Sequence, residues 1–148
     1  STRQRIWSRR IFNPASYGET YLFFRYLEDQ IPGTGRKIVQ STSKGIPAVE
    51  TAASARFNDL VKDWAMAVYL DSSPYATNRY SFPSINVPKP SAQQVGVNTS
   101  TWQYFSAYAP AYFEIQGSAF EQLPGKLFVQ VKPETGTTLD FAYQMIAK

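Results

Sequence analysis

Between Ser16 and Gln30 the side chains sort at helical spacing. Tyr17, Thr20, Phe23, Phe24, Leu27 and Ile31 share one side, Tyr21 and Leu22 widen it, and Tyr26 reaches round the back. Only Arg25, Glu28 and Asp29 clearly favour water. This period predicts a helix, and one so apolar around its circumference is expected to be packed on several sides. Ser16 is the expected N-cap, with Glu19 as the return half of a capping box. Pro32-Gly33 stops the helix. A second strong pattern runs from Ala55 to Leu70, where Phe57, Leu60, Val61, Trp64, Ala65 and Val68 fall on one face. Arg56, Asp59, Lys62 and Asp63 fall on the other, as solvated residues that can pair three apart. Ser54 is the expected N-cap, and Asp71-Ser72-Ser73-Pro74 the end. Two short helices are predicted between these patterns. Thr34 caps one that Gly45 terminates, and the other is Ile46 to Ala53 with Pro47 in its first turn.

Beyond Ser72 the helical period disappears. Pro74, Pro83, Pro88 and Pro90 punctuate a stretch rich in Ser, Asn and Gln that still holds Tyr80, Phe82, Ile85 and Val87. It reads as an ordered connection over 72–99, with room for short strands. The last third then carries β-branched and aromatic runs at 101–108, 111–116, 126–132 and 138–146, separated by turn residues. The expected fold class is therefore α+β: an N-terminal helical subdomain over 1–71, the Pro-rich connection, and a small antiparallel β module over 100–148, a four-stranded sheet or half of a sandwich.

Composition removes several chemistries. The chain has no cysteine and no histidine, so thiol catalysis, a histidine-dependent triad and a histidine-ligated zinc site cannot be complete within it. The net charge of +4 is mild. Its one dense cluster is Arg3, Arg5, Arg9 and Arg10, among Ile6, Trp7, Ile11 and Phe12, ahead of the Asn13-Pro14 turn. With no basic motif elsewhere, nucleic acid is not an expected partner. No apolar run reaches the ~18 residues of a membrane span. Pro32-Gly33-Thr34-Gly35 lacks the preceding strand and the lysine spacing of a phosphate loop, and reads as a helix–helix connection. Ser1-Thr2-Arg3 lacks an initiator Met, which suggests a processed product or a piece of something longer.

The stretch Ser16-Tyr17-Gly18-Glu19-Thr20-Tyr21-Leu22-Phe23-Phe24-Arg25-Tyr26-Leu27 resembles the helix that follows the zinc site in gluzincin metallopeptidases. The likeness is to hyicolysin-like peptidases, and more distantly to thermolysin-like aminopeptidases, which carry Tyr-x-x-(small or aromatic)-Leu-Phe-x-Tyr-Leu there. Ile38-Val39-Gln40-Ser41 through Gly45-Ile46 is similar to the family's short helices. Arg56-Phe57-Asn58-Asp59-Leu60-Val61-Lys62-Asp63-Trp64-Ala65 is similar to its F-x-x-L-F-x-x-W helix. The resemblance runs from Ile11 to Leu70, and the β-rich third is only loosely similar to C-terminal extensions. The zinc-binding His-Glu-x-x-His helix of the family has no counterpart here.

The resemblance implies the C-terminal portion of an exported zinc peptidase, extracellular or in the cell envelope, that forms one wall of the substrate cleft and is not catalytic alone. Zinc is then expected in the complete parent and no cofactor in this chain. The partners are the N-terminal part of the same protein and the parent's peptide substrate. Tyr17 matches the family tyrosine that hydrogen-bonds the oxyanion of the tetrahedral intermediate; the plainer alternative is a core tyrosine at a helix start. Glu19 as a metal ligand is the weaker alternative to its capping role. A different reading is a stand-alone extracellular binding or adhesion module that uses Trp102, Tyr104 and Tyr108, together with Phe105, Tyr112 and Phe113. A scaffold with no site at all is a third.

Overall fold

The first helix forms where its period predicts it. In the computed structural model, which describes residues 14–96 and 110–115, α1 runs over Pro14–Gln30. Ser16 already lies within the helix, so the expected Ser16/Glu19 capping box is not its start. The stop falls where Pro32-Gly33 required it. Gly33 adopts φ 85°, a left-handed conformation suited to glycine, and α2 (Thr34–Gln40) begins at once. Thr34 does not cap α2 with its side chain. It is fully buried, and its hydroxyl donates to the Ile31 carbonyl at 2.6 Å.

α3 (Ile46–Ala53) carries Pro47 in its first turn. Ser54, expected to cap the next helix, instead closes α3 in a left-handed conformation. α4 spans Phe57–Leu70. Its first N–H, that of Phe57, donates to the Glu50 carboxylate at 2.8 Å, so a side chain from the preceding helix does the capping.

The chain divides after Pro88 into two compact units. In the first, the core joins Tyr26 and Leu27 of α1, Val49 and Ala53 of α3, and Leu60, Trp64 and Ala67 of α4. Phe82 and Val87, from the stretch read as a connection, complete it. Phe23 binds α1 to α4 by edge-on ring contacts with Phe57 (centroids 5.6 Å apart) and Trp64 (5.8 Å).

The stretch 71–88 is a strap across this core, and polar groups fasten it. Asp71 is buried and accepts from the backbone N–H of Phe82 (2.9 Å) and of Val87 (2.8 Å). Tyr26 donates its hydroxyl to the Arg79 carbonyl at 2.9 Å, and the Gln30 amide donates to the Ser81 carbonyl at 3.2 Å. Asp29 accepts from the Ser84 hydroxyl (2.6 Å) and from Arg25 (2.6 Å). The strap is the reason Tyr26, on the back of α1, is buried: Phe82 lies edge-on to its ring at 5.8 Å.

The buried arc of α4 is wider than its sequence stripe. Met66, Tyr69 and Asp63 are buried as well as Leu60 and Trp64. Asp59 and Lys62 pair at 3.3 Å, as their spacing predicts. Asp63 does not sit on a solvated face; it turns to Arg79 in the strap.

In the second unit, β1 (Gln93–Gln94) pairs with β2 (Phe113–Glu114) in register Gln93↔Phe113. The pairing is parallel, which corrects the antiparallel expectation for this pair. Parallel neighbours need a connection of a dozen or more residues, and the two strands lie far enough apart in sequence to allow one. β1 also arises within the Pro-rich stretch, from two glutamines with no apolar alternation to mark them. Helices and strands are segregated along the described chain, which is the α+β class at its coarser level. The runs at 101–108, 126–132 and 138–146 lie outside the described residues.

A pH-sensitive tie joins α1 to α2. Glu28 accepts from the backbone N–H groups of Gly33 (2.7 Å) and Gly35 (3.0 Å). The N–H of Gly35 first, and then that of Gly33, hold its carboxyl below its ordinary value of 4.5. A carboxyl depressed by folding stabilises the fold above its unfolded pKa, and that contribution is lost as pH falls through the folded value. Glu28→Gln is therefore expected to flatten the acid side of the stability curve. Melting temperature should fall less between pH 6 and pH 3 (roughly the carboxylate range) in the variant than in the parent chain. Parallel curves would sink this assignment.

Candidate functional site

The first half of α1 is where resemblance and geometry meet. Its residues divide sharply along the helix. Tyr26 and Leu27 are buried and Leu22 and Phe23 are partly covered, whereas Gly18, Glu19, Thr20, Tyr21 and Phe24 are exposed. Among the described side chains the helix is thus covered toward its C-terminal end, where α2, α4 and the strap meet it, and open at Tyr21 and Phe24. Tyr21 is 60% exposed and Phe24 41%. These rings stand three residues apart, on one face of the helix. Phe24 touches Phe23 edge-on at 5.8 Å, so the exposed surface runs continuously into the core aromatics.

Gly18 sits among these exposed residues. A Cβ built on it meets nothing within 4 Å. Glycine inside a helix costs about 0.5–1 kcal/mol relative to alanine, and no contact among the described residues requires it. Gly18→Ala is expected to stabilise this chain by about that amount, read as a higher urea midpoint at unchanged slope. A loss of stability would mean that the surface is already covered by the chain itself.

The second cluster is Asp63, Arg79, Tyr26 and Tyr80. Arg79 donates Nε (3.0 Å) and Nη2 (2.5 Å) to the same oxygen of Asp63, Oδ2. The guanidinium also lies 5.8 Å from the centroid of the Tyr80 ring. Asp63 Oδ1 and Trp64 Nε1 are buried without a hydrogen-bond partner among the described residues. Desolvation by burial first, and then the neighbouring Asp63 charge, push the Tyr26 phenol well above its ordinary value, against an opposing pull from Arg79. Hydrogen bonding to Asp63 raises the Arg79 guanidinium. Neither group changes charge near neutral pH, so the cluster is a latch for the strap and not an acid–base pair. Sequence reasoning missed it because Asp63 falls on the polar side of the α4 stripe. The available signal was Arg79, a cation beside Tyr80 in a stretch that keeps its apolar residues.

Tyr17 and Glu19 are both in α1, and Glu19 is exposed. Trp102, Tyr104 and Tyr108 lie outside the described residues, as does Phe105. Of the aromatics expected in the β region, Phe113 is exposed on β2. Among the described residues no group of three or more His, Cys, Asp or Glu side chains is placed to hold a metal ion. The described side chains therefore do not form a zinc site. Among the same residues no helix is long and apolar enough to cross a membrane.

Comparison with known proteins leaves the chain without a neighbour: no family model, no curated protein and no solved structure matches it.

Proposed function

We propose that this chain is the C-terminal portion of a zinc-metallopeptidase-like protein and is not catalytic by itself. In this reading the first half of α1 forms a wall of the parent's substrate cleft. One observation carries it: the aromatic face of α1 is left open at Tyr21 and Phe24, beside a glycine that no contact among the described residues explains. Large rings left in water forgo roughly 1.5–3 kcal/mol each of burial. A chain keeps such a face when another surface or a ligand covers it. The aromatic order of α1 and the F-x-x-L-x-x-x-W order of α4 are the features that resemble gluzincins. These two helices also meet through Phe23, Phe57 and Trp64.

The zinc ligands belong to the upstream part of the parent, together with the general base. This chain contributes the cleft wall and, at Tyr17, a phenol able to donate a hydrogen bond to an oxyanion. The parent is exported, to the cell envelope or beyond, and acts on peptides.

Two preparations test the reading. The 148-residue chain, dialysed against zinc, should retain none stoichiometrically and should cleave no casein-derived peptide. The product of the whole coding region should do both. Zinc retention or hydrolysis by the shorter chain would overturn the proposal. So would a whole coding region that encodes no His-Glu-x-x-His helix.

A further inference from the structure

We propose that the exposed stretch formed by α2 and the turn into α3 docks onto an anionic lipid surface, through Arg36, Lys37 and Lys44 together with Val39 and Ile46. The proposal is independent of the peptidase reading.

The charges of the helical unit set this stretch apart. Most of its carboxylates already have a partner from within the chain. Glu28 is held by the N–H groups of Gly33 and Gly35, Asp29 by Arg25 and Ser84, and Glu50 by the N–H of Phe57. Asp59 pairs with Lys62, Asp63 with Arg79, and Asp71 takes two strap N–H groups. The cations on α1, α4 and the strap, namely Arg25, Lys62 and Arg79, are the ones used in these ion pairs, and Arg56 before α4 stands alone in sequence as a further cation without one among the described residues. Arg36, Lys37 and Lys44 have no carboxylate partner among the described residues, and no acidic residue interrupts the sequence between Asp29 and Glu50.

The same stretch exposes aliphatic side chains. Val39 is 86% exposed and Ile46 40%. From Gly35 to Pro47 only Ile38 and Ser41 are even partly covered. A single exposed valine is ordinary. A nearly naked valine and an exposed isoleucine, within a few residues of three unpaired cations on long flexible stems, make a mixed surface. Phosphodiester chains would satisfy the cations and leave Val39 and Ile46 in water. An anionic bilayer satisfies both: its headgroups attract the cations, and its interface takes the aliphatic side chains while the lysine and arginine stems reach back to the headgroups. Charge complementarity together with the exposed aliphatics therefore favours lipid over nucleic acid.

The experiment uses the full chain with sedimented vesicles of phosphatidylcholine, with and without phosphatidylglycerol, in dilute buffer and near physiological salt. Binding is expected only to the anionic vesicles and is expected to weaken as salt rises. Arg36→Gln/Lys37→Gln/Lys44→Gln should weaken it about a hundredfold, at roughly fivefold per cation. Val39→Ser should cost about fivefold through lost apolar burial. These positions are exposed, so each variant should melt as the parent chain does. No binding to anionic vesicles in dilute buffer overturns the proposal, as does equal binding to neutral vesicles. Wild-type binding by the triple variant does the same. So does preferential binding of a short DNA duplex that Val39→Ser leaves unchanged, which would identify phosphate and not a lipid surface as the partner.

Discussion

Asp71→Ala is expected to lower the unfolding free energy by about 3 kcal/mol, the largest stability effect of any polar residue in the helical unit. Asp71 closes α4 and is buried, and it spends its two oxygens on different strands of the strap's path: Oδ1 on the Phe82 N–H and Oδ2 on the Val87 N–H. Hydrogen bonds to a charged acceptor contribute about 1.5–3 kcal/mol each, and a buried N–H left unpaired keeps its full desolvation cost. Phe82 and Val87 are also the apolar residues by which the strap enters the core, so the loss of Asp71 weakens their packing too. Melting temperature should fall by about 10 °C, at roughly 2–4 °C per kcal/mol for a chain of this size. Asp71→Asn keeps one carbonyl acceptor and should recover about half of the loss. Amide hydrogen exchange at Phe82 and Val87 should accelerate in both variants, more in the alanine. If asparagine is as damaging as alanine, or if alanine costs less than about 1 kcal/mol, Asp71 is not the clamp described here.

Tyr17→Phe in the complete parent protein is expected to reduce kcat by about two to three orders of magnitude, or roughly 2.7–4 kcal/mol of transition-state stabilisation. The variant loses one hydroxyl and keeps the ring, so a purely structural tyrosine would shift the melting temperature and spare kcat. A donor that acts only on the developing oxyanion lowers kcat and kcat/KM together and leaves KM close to unchanged. Bound zinc should be unaltered. An unchanged kcat would remove Tyr17 from the chemistry while leaving the cleft-wall reading intact, because that reading rests on Tyr21 and Phe24. Gly18→Ala separates the two further. It should stabilise the 148-residue chain and harm the parent if the surface over Gly18 is occupied there.

The helical part of this fold is legible one residue at a time. The stripe Phe57, Leu60, Val61, Trp64 places α4 before any neighbour is known, and Pro32-Gly33 and Pro47 mark a stop and a start. The caps are less legible. Ser16, Thr34 and Ser54 each have a side chain suited to capping, yet Ser16 lies within α1, Gly33 stands at the N-cap of α2, and Glu50 caps α4 through a carboxylate seven residues from the N–H it satisfies. Helix ends are decided by what stands nearby in space, and a propensity for capping does not contain that information.

The open aromatic face of the candidate site shows the same limit from the other direction. Periodicity reports that α1 is apolar on most sides. It cannot report that α2, α4 and the strap meet α1 while leaving Tyr21 and Phe24 in water.

By itself, then, the sequence determined the helices, their order, the absence of thiol and imidazole chemistry, and the aromatic pattern that resembles a peptidase helix. These follow from backbone periodicity and from residue types, which are local properties. Only the tertiary structure decided that Asp63 and Asp71 are buried anchors and not solvated helix residues. It also turned a Pro-rich stretch into a strap and paired Gln93-Gln94 with Phe113-Glu114 in parallel. Each of these depends on a partner that is distant in the chain. The free energy of a buried carboxylate or of a strand edge is set by the group it meets, and the polarity of the residue alone does not fix it.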